Sequence, residues 1–574
     1  PALPHDDRVF MRLAKGAALV HGTLTLPTGA QAAFDTYANL FNIGNWSAHG
    51  PLDALALHLT GQGDVTLHLW HITQNTPDQT LIRADVTLTA TGTSIDLPEN
   101  LRTGLLGWSV TARSDATLTN AAFTAAPLGN PVDLAIVITT FQREDAVRAT
   151  CARITAFLDA DAAQGGTLTG AHLFIIDNGQ SVTLPAHPRL TLIPNRNLGG
   201  AGGFARGLAA ARDAGTFTHV LFMDDDAACP MTNLTRTAAF LRHAADPKTA
   251  LAGAMVSTAR PWHLWENSAV FDQLPRSQFS GVDLRDADAV ARMELATPAP
   301  PPSGAYGAWW YFAFPLAAVT HDPYPFFVRG DDVWFGLSND FRIATLNGVM
   351  SLQDDFAAKA SPQTLYLDMR YLLVVNMVRS DAPLGLLGCL ALAWRQVLHS
   401  ISRMHYDTAA AQLMAWADVL TGPVHFTANM TMAHRRAKIA ALTKTEQWGP
   451  CPADLPPLHS TAQSTGWRRL MYFTLNGHLL PGFTRLGQSV CVPLQDRGGL
   501  EATCGARHAV FVDGDKAYAV RHDKRQAATL GLRGLWLILR TGLAWPRLRR
   551  AYRQSCIDLT RPAFWQAQFR AFQD

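Results

Sequence analysis

Residues 133–141 read DLAIVITTF, an apolar run with no charged residue after its first position. Such a run is typical of a strand that is buried on both faces of a parallel sheet. The next segment, REDAVRATCARITAFLDA at 143–160, repeats its apolar residues at helical spacing. The pattern continues, with strands predicted at 171–179, 190–195 and 218–226 and a helix at 202–215. Strands that alternate with helices predict a doubly wound α/β domain, whose ligands lie beyond the carboxyl ends of the strands.

The regions on either side follow different patterns. Segments such as VTLHLWHI at 65–72 alternate apolar and polar residues between turn-forming residues, which predicts an antiparallel β-sandwich that either binds carbohydrate or braces its neighbour. Beyond about residue 355 the predicted elements are mostly helical, and a late hairpin turns on Asp513 and Gly514. The predicted domains are an N-terminal β-sandwich at 1–128, an α/β domain at 129–355, a helical domain that completes the active site at 356–500, and a hairpin with a basic amphipathic helix at 501–574.

Composition excludes several classes of protein. Charged residues make up 16% of the 574, and a formal net charge of +2 provides no overall attraction to nucleic acid. Seven scattered cysteines without a CxxC pair favour a reducing compartment over a disulfide scaffold or zinc site. The opening PALPHDDRVF lacks the basic and apolar regions of a signal peptide. We therefore expect a cytoplasmic protein.

The last of these predicted strands leads into three adjacent carboxylates, Asp224, Asp225 and Asp226. Asp224 and Asp226 lie on the same side of an extended segment, where they can share one divalent cation. Oxygen ligands favour Mg²⁺ or Mn²⁺. The alternative interpretation is a solvated acidic loop at the end of a strand.

Three further features follow the same pattern of one chemical and one structural interpretation. The glycines of NRNLGGAGGFARG at 195–207 either bring backbone amides to a phosphate-bearing ligand or allow tight helix packing. Asp331 and Asp332 precede a predicted helix, where an aspartate can deprotonate an acceptor hydroxyl or simply cap the helix. Trp309 and Trp310 offer flat faces to a sugar ring, although adjacent tryptophans are more often core.

In their order along the chain, the segments TTFQRED, IIDNGQ, NRNLGGAGGFARG, FMDDDA, YGAWW and GDDVWFGL resemble the inverting family 2 glycosyltransferases of GT-A fold. Among these, they are most similar to bacterial galactofuranosyltransferases of the mycobacterial galactan type. The resemblance extends from about residue 130 to 375, and the flanking β-sandwich and helices are similar too. It implies a Rossmann-like, mostly parallel GT-A core, Mn²⁺ or Mg²⁺ as cofactor, a UDP-sugar donor, and a glycan or lipid-linked glycan acceptor at the cell surface.

The resemblance also implies roles for individual residues. The residues that would contact the nucleotide-sugar are Thr140, Arg143, Asp177, Asn197, Asp224 and Asp225. The residues that would contact the acceptor are Glu266, Trp309, Trp310 and Asp331. The metal ligands would be Asp224, Asp226 and Gln353, and Asp332 would be the general base.

Two positions depart from the family pattern. A family histidine that completes the metal shell is replaced in LNGVMSLQDDF by Gln353 or Asp354, either of which supplies oxygen. A second family histidine, in the helix that carries YLDMRYLLVV, is replaced by Asp368. A donor or acceptor different from the family's is therefore possible.

The expected chemistry is one displacement at the anomeric carbon, with inversion. The cation and glycine-rich amides would stabilise the leaving nucleoside diphosphate, while Asp332 removes the proton of the attacking hydroxyl. The favoured donor is UDP-galactofuranose. The alternatives are a transferase for another donor such as a deoxysugar nucleotide, a non-catalytic glycan-binding protein, and a nucleotidyltransferase, which would release pyrophosphate.

The last segment, LRGLWLILRTGLAWPRLRRAYR at 532–553, mixes leucine and tryptophan with arginines. Its basic face could lie on the anionic cytoplasmic surface of the inner membrane, or the helix could simply pack on its own protein. Pro546 is expected to break this helix. The resemblance also implies self-association, with the C-terminal region as its expected place.

Overall fold

The computed structural model describes residues 5–297, 301–354, 360–458, 464–499 and 501–573. The predicted domain boundary between residues 355 and 356 lies outside these ranges. In the described part of the chain, no helix is both long and apolar enough to cross a membrane.

The strands are β1 (Arg12–Ala14), β2 (Ala18–Val20), β3 (Thr23–Leu26), β4 (Gln31–Ala33), β5 (Ala56–Ile72), β6 (Gln79–Leu88), β7 (Thr93–Asp96), β8 (Leu105–Ala112), β9 (Ala116–Thr124), β10 (Leu134–Thr140), β11 (His172–Asp177), β12 (Leu190–Pro194), β13 (His219–Asp224), β14 (Thr249–Ser257), β15 (Leu264–Glu266), β16 (Ala269–Asp272), β17 (Leu274–Ser277), β18 (Ala305–Tyr306), β19 (Phe312–Pro315), β20 (Arg342–Gln353), β21 (Gly449–Pro450), β22 (Gln488–Pro493), β23 (Ala506–Asp513) and β24 (Lys516–Arg521).

The helices are α1 (Asp7–Phe10), α2 (Ile43–His49), α3 (Glu144–Ala163), α4 (Gly199–Ala214), α5 (Thr232–His243), α6 (Ala287–Ala296), α7 (Asp331–Ser338), α8 (Pro362–Val378), α9 (Leu386–Ser402), α10 (Tyr406–Leu420), α11 (Val424–Ala428), α12 (Ala433–Leu442), α13 (Thr465–Phe473), α14 (Phe483–Leu486), α15 (Lys524–Asp558) and α16 (Pro562–Gln573).

The N-terminal region is an antiparallel β-structure organised around the long strand β5. Residues 56–62 of β5 pair with β9, and residues 65–72 pair with β8. The strand order is β1-β4-β8-β5-β9-β3-β2, with β6 and β7 also paired to β5. Alternate side chains of β5, among them Leu57, Leu67 and Leu69, are buried in one apolar cluster, as expected for a strand with one face toward the core.

The central sheet has the order β12-β11-β10-β13-β19-β14-β15, with β20 beside β14. Strands β10 to β13 pair in parallel, as do β14 and β20. Strand β19 runs antiparallel between β13 and β14, and β15 runs antiparallel beside β14. The core is therefore a mixed sheet, and the expected parallel order describes only part of it.

Helices cover both faces of this sheet. In β10, Ile136 and Ile138 are buried in the same cluster as Ile154 of α3. The intervening Val137 is buried in the cluster that contains Phe204 of α4. Successive side chains of a strand point to opposite faces, so the apolar run at 133–141 serves two cores at once, as the sequence predicted.

The C-terminal region is mostly helical, with α8, α9, α10 and α15 packed together. The late hairpin predicted around Asp513 and Gly514 is confirmed as β23 and β24. The expectation that Pro546 breaks the last long helix is wrong, because α15 continues from Lys524 to Asp558. Pro546 is exposed, so water can reach the carbonyl of Gly542 that loses its helical partner.

Candidate active site

The candidate site lies at the carboxyl ends of β10, β11 and β13. The strands are in register there, with Thr140 beside Asp177 and Thr139 beside Asp224. Because all three strands are parallel, the polar residues that follow them meet at one edge of the sheet. The structure therefore brings together Thr140, Asp177 and the aspartate triplet, which lie far apart in the sequence.

A guanidinium group offsets the mutual repulsion of the triplet. Arg143 Nη1 lies 2.9 Å from Asp225 Oδ1 and 2.6 Å from Asp226 Oδ2. Thr140 Oγ1 donates a hydrogen bond of 2.7 Å to the other oxygen of Asp225. Burial raises the pKa of Asp225, and Arg143 opposes that rise. Asp225 is therefore committed to internal contacts, whereas Asp224 and Asp226 are partly exposed and accessible to a ligand.

Oxygen ligands for a cation converge beside Asp224. Gln353, the last residue of β20, donates from Nε2 to Asp224 Oδ2 at 3.2 Å. Its buried Oε1 atom has no hydrogen-bond partner, so the side-chain amide beside Asp224 carries an unpaired oxygen. This set of donors fits Mg²⁺ or Mn²⁺. No group of three His, Cys, Asp or Glu side chains that could hold a metal occurs in the described ranges, so a cation here depends on the glutamine.

Asp177 is occupied by the backbone of its own turn. Its Oδ1 atom accepts hydrogen bonds of 2.9 Å from the amides of Gly179 and Gln180, and Oδ2 accepts one of 2.8 Å from Val182. The side chain is 2% exposed. It shapes the loop after β11, and its expected contact with a nucleotide stays a prediction.

The glycine-rich segment receives a backbone loop. The amide of Ala201 donates to the carbonyl oxygen of Phe327 at 3.0 Å. A Cβ atom on Gly199 would come closer than 3.0 Å to the same carbonyl, and one on Gly200 would lie 3.1 Å from Asp331 Oδ2. These glycines let the start of α4 approach the loop before α7. The packing interpretation of the motif accounts for Gly199 and Gly200, and Asn197 supports it by accepting from the Gly199 amide at 3.1 Å.

The loop before α7 holds its backbone in an uncommon conformation. Phe327, Arg329 and Gly330 have φ values of 76°, 70° and 80°. Positive φ costs free energy for Phe and Arg, and such strain concentrates at functional sites. The loop places Asp331 and Asp332 in the first turn of α7, where the helix dipole favours negative charge.

The two aspartates have different surroundings. Asp331 is buried, and burial together with the neighbouring Asp332 raises its pKa well above the usual range. Asp332 is partly exposed. Burial raises its pKa to about 6, while the Val333 amide and Arg329 oppose the rise. Asp332 therefore combines access to a ligand with a pKa suited to accepting a proton near neutral pH.

Further acidic groups surround Asp332. Burial raises the pKa of Glu266 to about 8, and that of Asp368 to about 6, and the charge of Asp332 adds to both effects. Ser277 Oγ donates to Glu266 Oε2 at 2.7 Å. Glu266 thus lies near Asp332, Asp368 joins them from α8, and the expected contact of Glu266 with an acceptor stays a prediction.

Sequence reasoning missed three members of this cluster. Arg329 lowers the pKa of Asp332 and Asp368, and the hydroxyls of Tyr306 and Tyr371 lie close enough to Asp332 for its charge to raise their pKa values. Arg329 lies two residues before Asp331 in the sequence. This closeness to the acidic pair was the one feature from which its role could have been predicted. Neither tyrosine carries a signal in the sequence.

Trp309 and Trp310 are 5% and 7% exposed. The ring of Trp309 packs edge-on against Phe204, Phe222 and Phe335. Trp310 Nε1 donates to the carbonyl of Gly253 at 2.9 Å. Both residues lie in the core in this conformation, which favours the structural interpretation of the pair over sugar stacking.

Comparison with known proteins identifies the chain as a relative of glycosyltransferases. Residues 14–126 match the family model described as galactofuranosyltransferase 2 N-terminal. The galactofuranosyltransferase GlfT2 of Mycolicibacterium smegmatis is 24% identical over 436 residues, which are 70% of this chain and 66% of the relative. GlfT2 of Mycobacterium tuberculosis is 25% identical over 451 residues, which are 70% and 67% of the two chains. The match thus spans about two thirds of these relatives, and it confirms the resemblance inferred from the motifs.

Solved structures show weaker similarity. TarS 1-349 of S. aureus is 12% identical with a TM-score of 0.28, and covers 58% of this chain and 98% of that one. A glucosyl-3-phosphoglycerate synthase from Mycobacterium tuberculosis, in complex with Mn²⁺, uridine diphosphate and phosphoglyceric acid, is 14% identical with a TM-score of 0.27, and covers 44% of this chain and 80% of that one. At these TM-scores neither structure supports an inference about this chain.

Proposed function

We propose that the chain is an inverting, metal-dependent glycosyltransferase that moves a sugar, galactofuranose, from a UDP-sugar to a hydroxyl of a glycan or lipid-linked glycan acceptor. Its core would have the GT-A layout, with the N-terminal β-structure at 1–128 and the helices beyond residue 355 flanking it. The similarity to galactofuranosyltransferases over 70% of the chain supports this class of enzyme.

The observation that carries the proposal is the position of Asp332. It is partly exposed at the start of a helix, burial raises its pKa to about 6, and it follows Asp331, whose pKa is raised by burial and by the charges of both Asp332 and Asp224. A base with this pKa is mostly ionised at neutral pH and still accepts a proton readily. Asp332 would take the proton of the acceptor hydroxyl as that oxygen attacks the anomeric carbon, so one displacement inverts the configuration.

The donor would lie along the triplet. Asp224, Asp226 and Gln353 would hold the divalent cation, whose charge stabilises the leaving diphosphate. Arg143 and Thr140 hold Asp225 in place and thereby fix the backbone that presents the other two aspartates. Asn197, which is partly exposed at the start of α4, would contact the diphosphate.

The acceptor would lie beside α7. Glu266 has a pKa of about 8, so it is mostly protonated at neutral pH and its carboxyl group can donate a hydrogen bond to an acceptor oxygen. Asp331 is buried next to Asp332, and burial together with the charge of Asp332 raises its pKa well above the usual range, which favours its neutral form. Keeping both neighbours neutral reduces the repulsion that a charged Asp332 would otherwise meet.

A second candidate, favoured by Gln353 and Asp368 where the family has histidines, is a related transferase that uses another sugar nucleotide. One panel separates the two. Nucleoside diphosphate release is measured from UDP-galactofuranose, UDP-galactopyranose and deoxysugar nucleotides, with and without Mn²⁺, and with an alkyl galactofuranoside acceptor. Acceptor-dependent release from the furanose donor alone supports the proposal, and release from a deoxysugar nucleotide alone supports the second candidate.

Two variants complete the panel. Asp332→Asn removes the base without changing the size of the side chain, so release should stop while UDP binding persists. Asp226→Ala removes one proposed metal ligand, and an unchanged calorimetric affinity for UDP with Mn²⁺ would exclude it from the metal site. Release of pyrophosphate instead of a nucleoside diphosphate would show a nucleotidyltransferase and overturn the proposal.

A further inference from the structure

The side chain of Arg370, on α8, is a buried cation to which the proposed mechanism gives no role. It is 2% exposed. Its Nη2 atom donates a hydrogen bond of 2.7 Å to the carbonyl oxygen of Phe326. Phe326 directly precedes Phe327, where the positive φ values of the loop before α7 begin. The loop that leads to Asp332 is therefore bonded, at its start, to a helix of the C-terminal region.

Arg370 has few other polar contacts. Its guanidinium carbon lies 5.0 Å from the ring centroid of Tyr366 and 5.3 Å from that of Phe426, and the faces of such rings attract a cation. Its Nη1 atom lies 3.4 Å from Met432 Sδ, and its Nε atom has no hydrogen-bond partner. Within the described ranges, no carboxylate forms an ion pair with this guanidinium. The Phe326 carbonyl is therefore the main oxygen acceptor of Arg370 in that part of the chain.

A carboxylate on α10 supports the buried charge without pairing with it. Burial lowers the pKa of Arg370, and the nearby Tyr366 and Asp418 oppose that change. Tyr366 donates from its hydroxyl to Asp418 Oδ2 at 2.6 Å, and Arg435 Nη2 lies 2.7 Å from Asp418 Oδ1. Because a buried charge costs free energy unless its contacts compensate it, an apolar side chain would fill this space at lower cost. Packing alone therefore does not explain the arginine.

The same loop is also held from α4. The amide of Ala201 donates to the carbonyl oxygen of Phe327 at 3.0 Å, so the adjacent carbonyls of Phe326 and Phe327 are bonded to two different helices. Positive φ values at Phe327 and Arg329 persist only where the surrounding contacts fix them. The two hydrogen bonds provide such contacts, and Arg370 makes the one that comes from the C-terminal region.

We propose that Arg370 is a positioning residue for the transfer reaction, and that its hydrogen bond to the Phe326 carbonyl holds the loop in the conformation that presents Asp332 to the acceptor hydroxyl. This inference rests on the proposed function, in which Asp332 is the base. Arg370 acts through the backbone of the loop and needs no contact with donor or acceptor. A displacement of the base by about 1 Å is enough to cost on the order of 100-fold in rate.

Replacing Arg370 by methionine removes the donor and keeps an unbranched side chain. In Arg370→Met the transfer rate at saturating donor should fall by about tenfold or more, while the KM for the donor stays within about twofold, because the triplet is unchanged. Arg403, which directly follows α9, provides the control. It is also buried, and its Nη1 atom donates to the carbonyl of Arg497 at 2.7 Å. Arg403→Met loses a similar bond at another place, so its transfer rate should stay within about twofold of that of the natural chain.

A lysine variant separates positioning from packing. Arg370→Lys keeps the cation and a donor but not the planar guanidinium, so its transfer rate should fall by only about threefold. If Arg370 served only to fill the core, the apolar methionine would be tolerated better than the lysine. A transfer rate in Arg370→Met that equals or exceeds that of Arg370→Lys would therefore overturn the proposal.

Hydrogen exchange of the full chain, followed by mass spectrometry, measures the loop without any substrate. The amides of residues 326–334 should exchange about tenfold faster or more in Arg370→Met than in the natural chain, and at the natural rate in Arg403→Met. Arg370→Lys should show an intermediate rate, which decides the question if Arg370→Met does not fold. Unchanged exchange in the Arg370 variants, or faster exchange with an unchanged transfer rate, would overturn the proposal. If the natural chain transferred no sugar from any donor, the proposed function would fail, while the exchange rates would still show whether Arg370 holds the loop.

Discussion

Replacing Gly199 by alanine should damage the candidate site through the loop before α7. Gly199 has a φ of +71°, and an added Cβ would come closer than 3.0 Å to the carbonyl oxygen of Phe327. A left-handed alanine costs about 1 kcal/mol relative to glycine. Overpacking against a fixed backbone adds about 1–3 kcal/mol. We therefore expect Gly199→Ala to lower the free energy of unfolding by about 2–4 kcal/mol.

The other end of the same helix provides the control. Gly215 follows α4 with a φ of +68°, and an added Cβ there would meet no atom within 4 Å. Gly215→Ala has the same backbone strain without the overlap, so it should cost about 1 kcal/mol. The difference between the variants measures the contact with Phe327.

Both variants are compared by urea unfolding and by transfer activity. Asp332 lies five residues after Phe327, and displacement of a reacting group by about 1 Å can cost on the order of 100-fold in rate. Gly199→Ala should therefore lose at least tenfold in transfer while Gly215→Ala retains it. Equal losses of stability and activity in the two variants would refute the idea that the glycine motif supports the loop.

Three further predictions concern charge. The rate of transfer at limiting donor should rise with pH through about 6, the pKa of Asp332, and a rate that is flat from pH 5 to 8 would exclude Asp332 as the base. Arg143→Ala leaves the buried Asp225 without its ion pair and should lower the free energy of unfolding by about 2 kcal/mol at pH 7. The loss should be smaller at pH 4, because Asp225 is protonated more easily there. An equal loss at both pH values in urea titrations would contradict this prediction. Burial raises the pKa of Glu294 from 4.5 to about 7, so the glutamate ionises at lower pH in the unfolded chain than in the folded one. The free energy of unfolding should therefore fall by up to about 3 kcal/mol between those pH values and then level off. In thermal unfolding, Glu294→Gln should make stability less dependent on pH over this range, and an unchanged pH dependence would contradict the prediction.

Much of the α/β core could be predicted because its signals are local. The apolar run at 133–141 specifies a strand that is buried on both faces, and Asp224 to Asp226 mark the end of another. Strand β19 escaped prediction because Phe312–Pro315 lies in a segment rich in proline and glycine, and only tertiary contacts place it between β13 and β14. Pro546 led to the opposite error, a predicted helix break that the structure does not have, because its exposed position tolerates the lost hydrogen bond.

In the candidate site, too, residues in local motifs could be predicted and residues that meet only through tertiary contacts could not. Its acidic residues could be named because several motifs occur in a characteristic order along the chain, whereas a single carboxylate at a strand or helix end is too common to be informative. Their partners could not, because Arg329, Tyr306 and Tyr371 meet Asp332 only through the fold. The internal use of Asp177 by three backbone amides is likewise a property of the turn, which the sequence alone does not reveal.

The most direct test of the central claim is the mass of the acceptor after reaction. An alkyl galactofuranoside is incubated with UDP-galactofuranose, Mn²⁺ and either the natural chain or Asp332→Asn, and the products are analysed by mass spectrometry. We predict that the natural chain adds a hexose to the acceptor and that Asp332→Asn adds none while it still binds UDP. An unmodified acceptor with every sugar nucleotide tested, or a variant that transfers as well as the natural chain, would contradict the account.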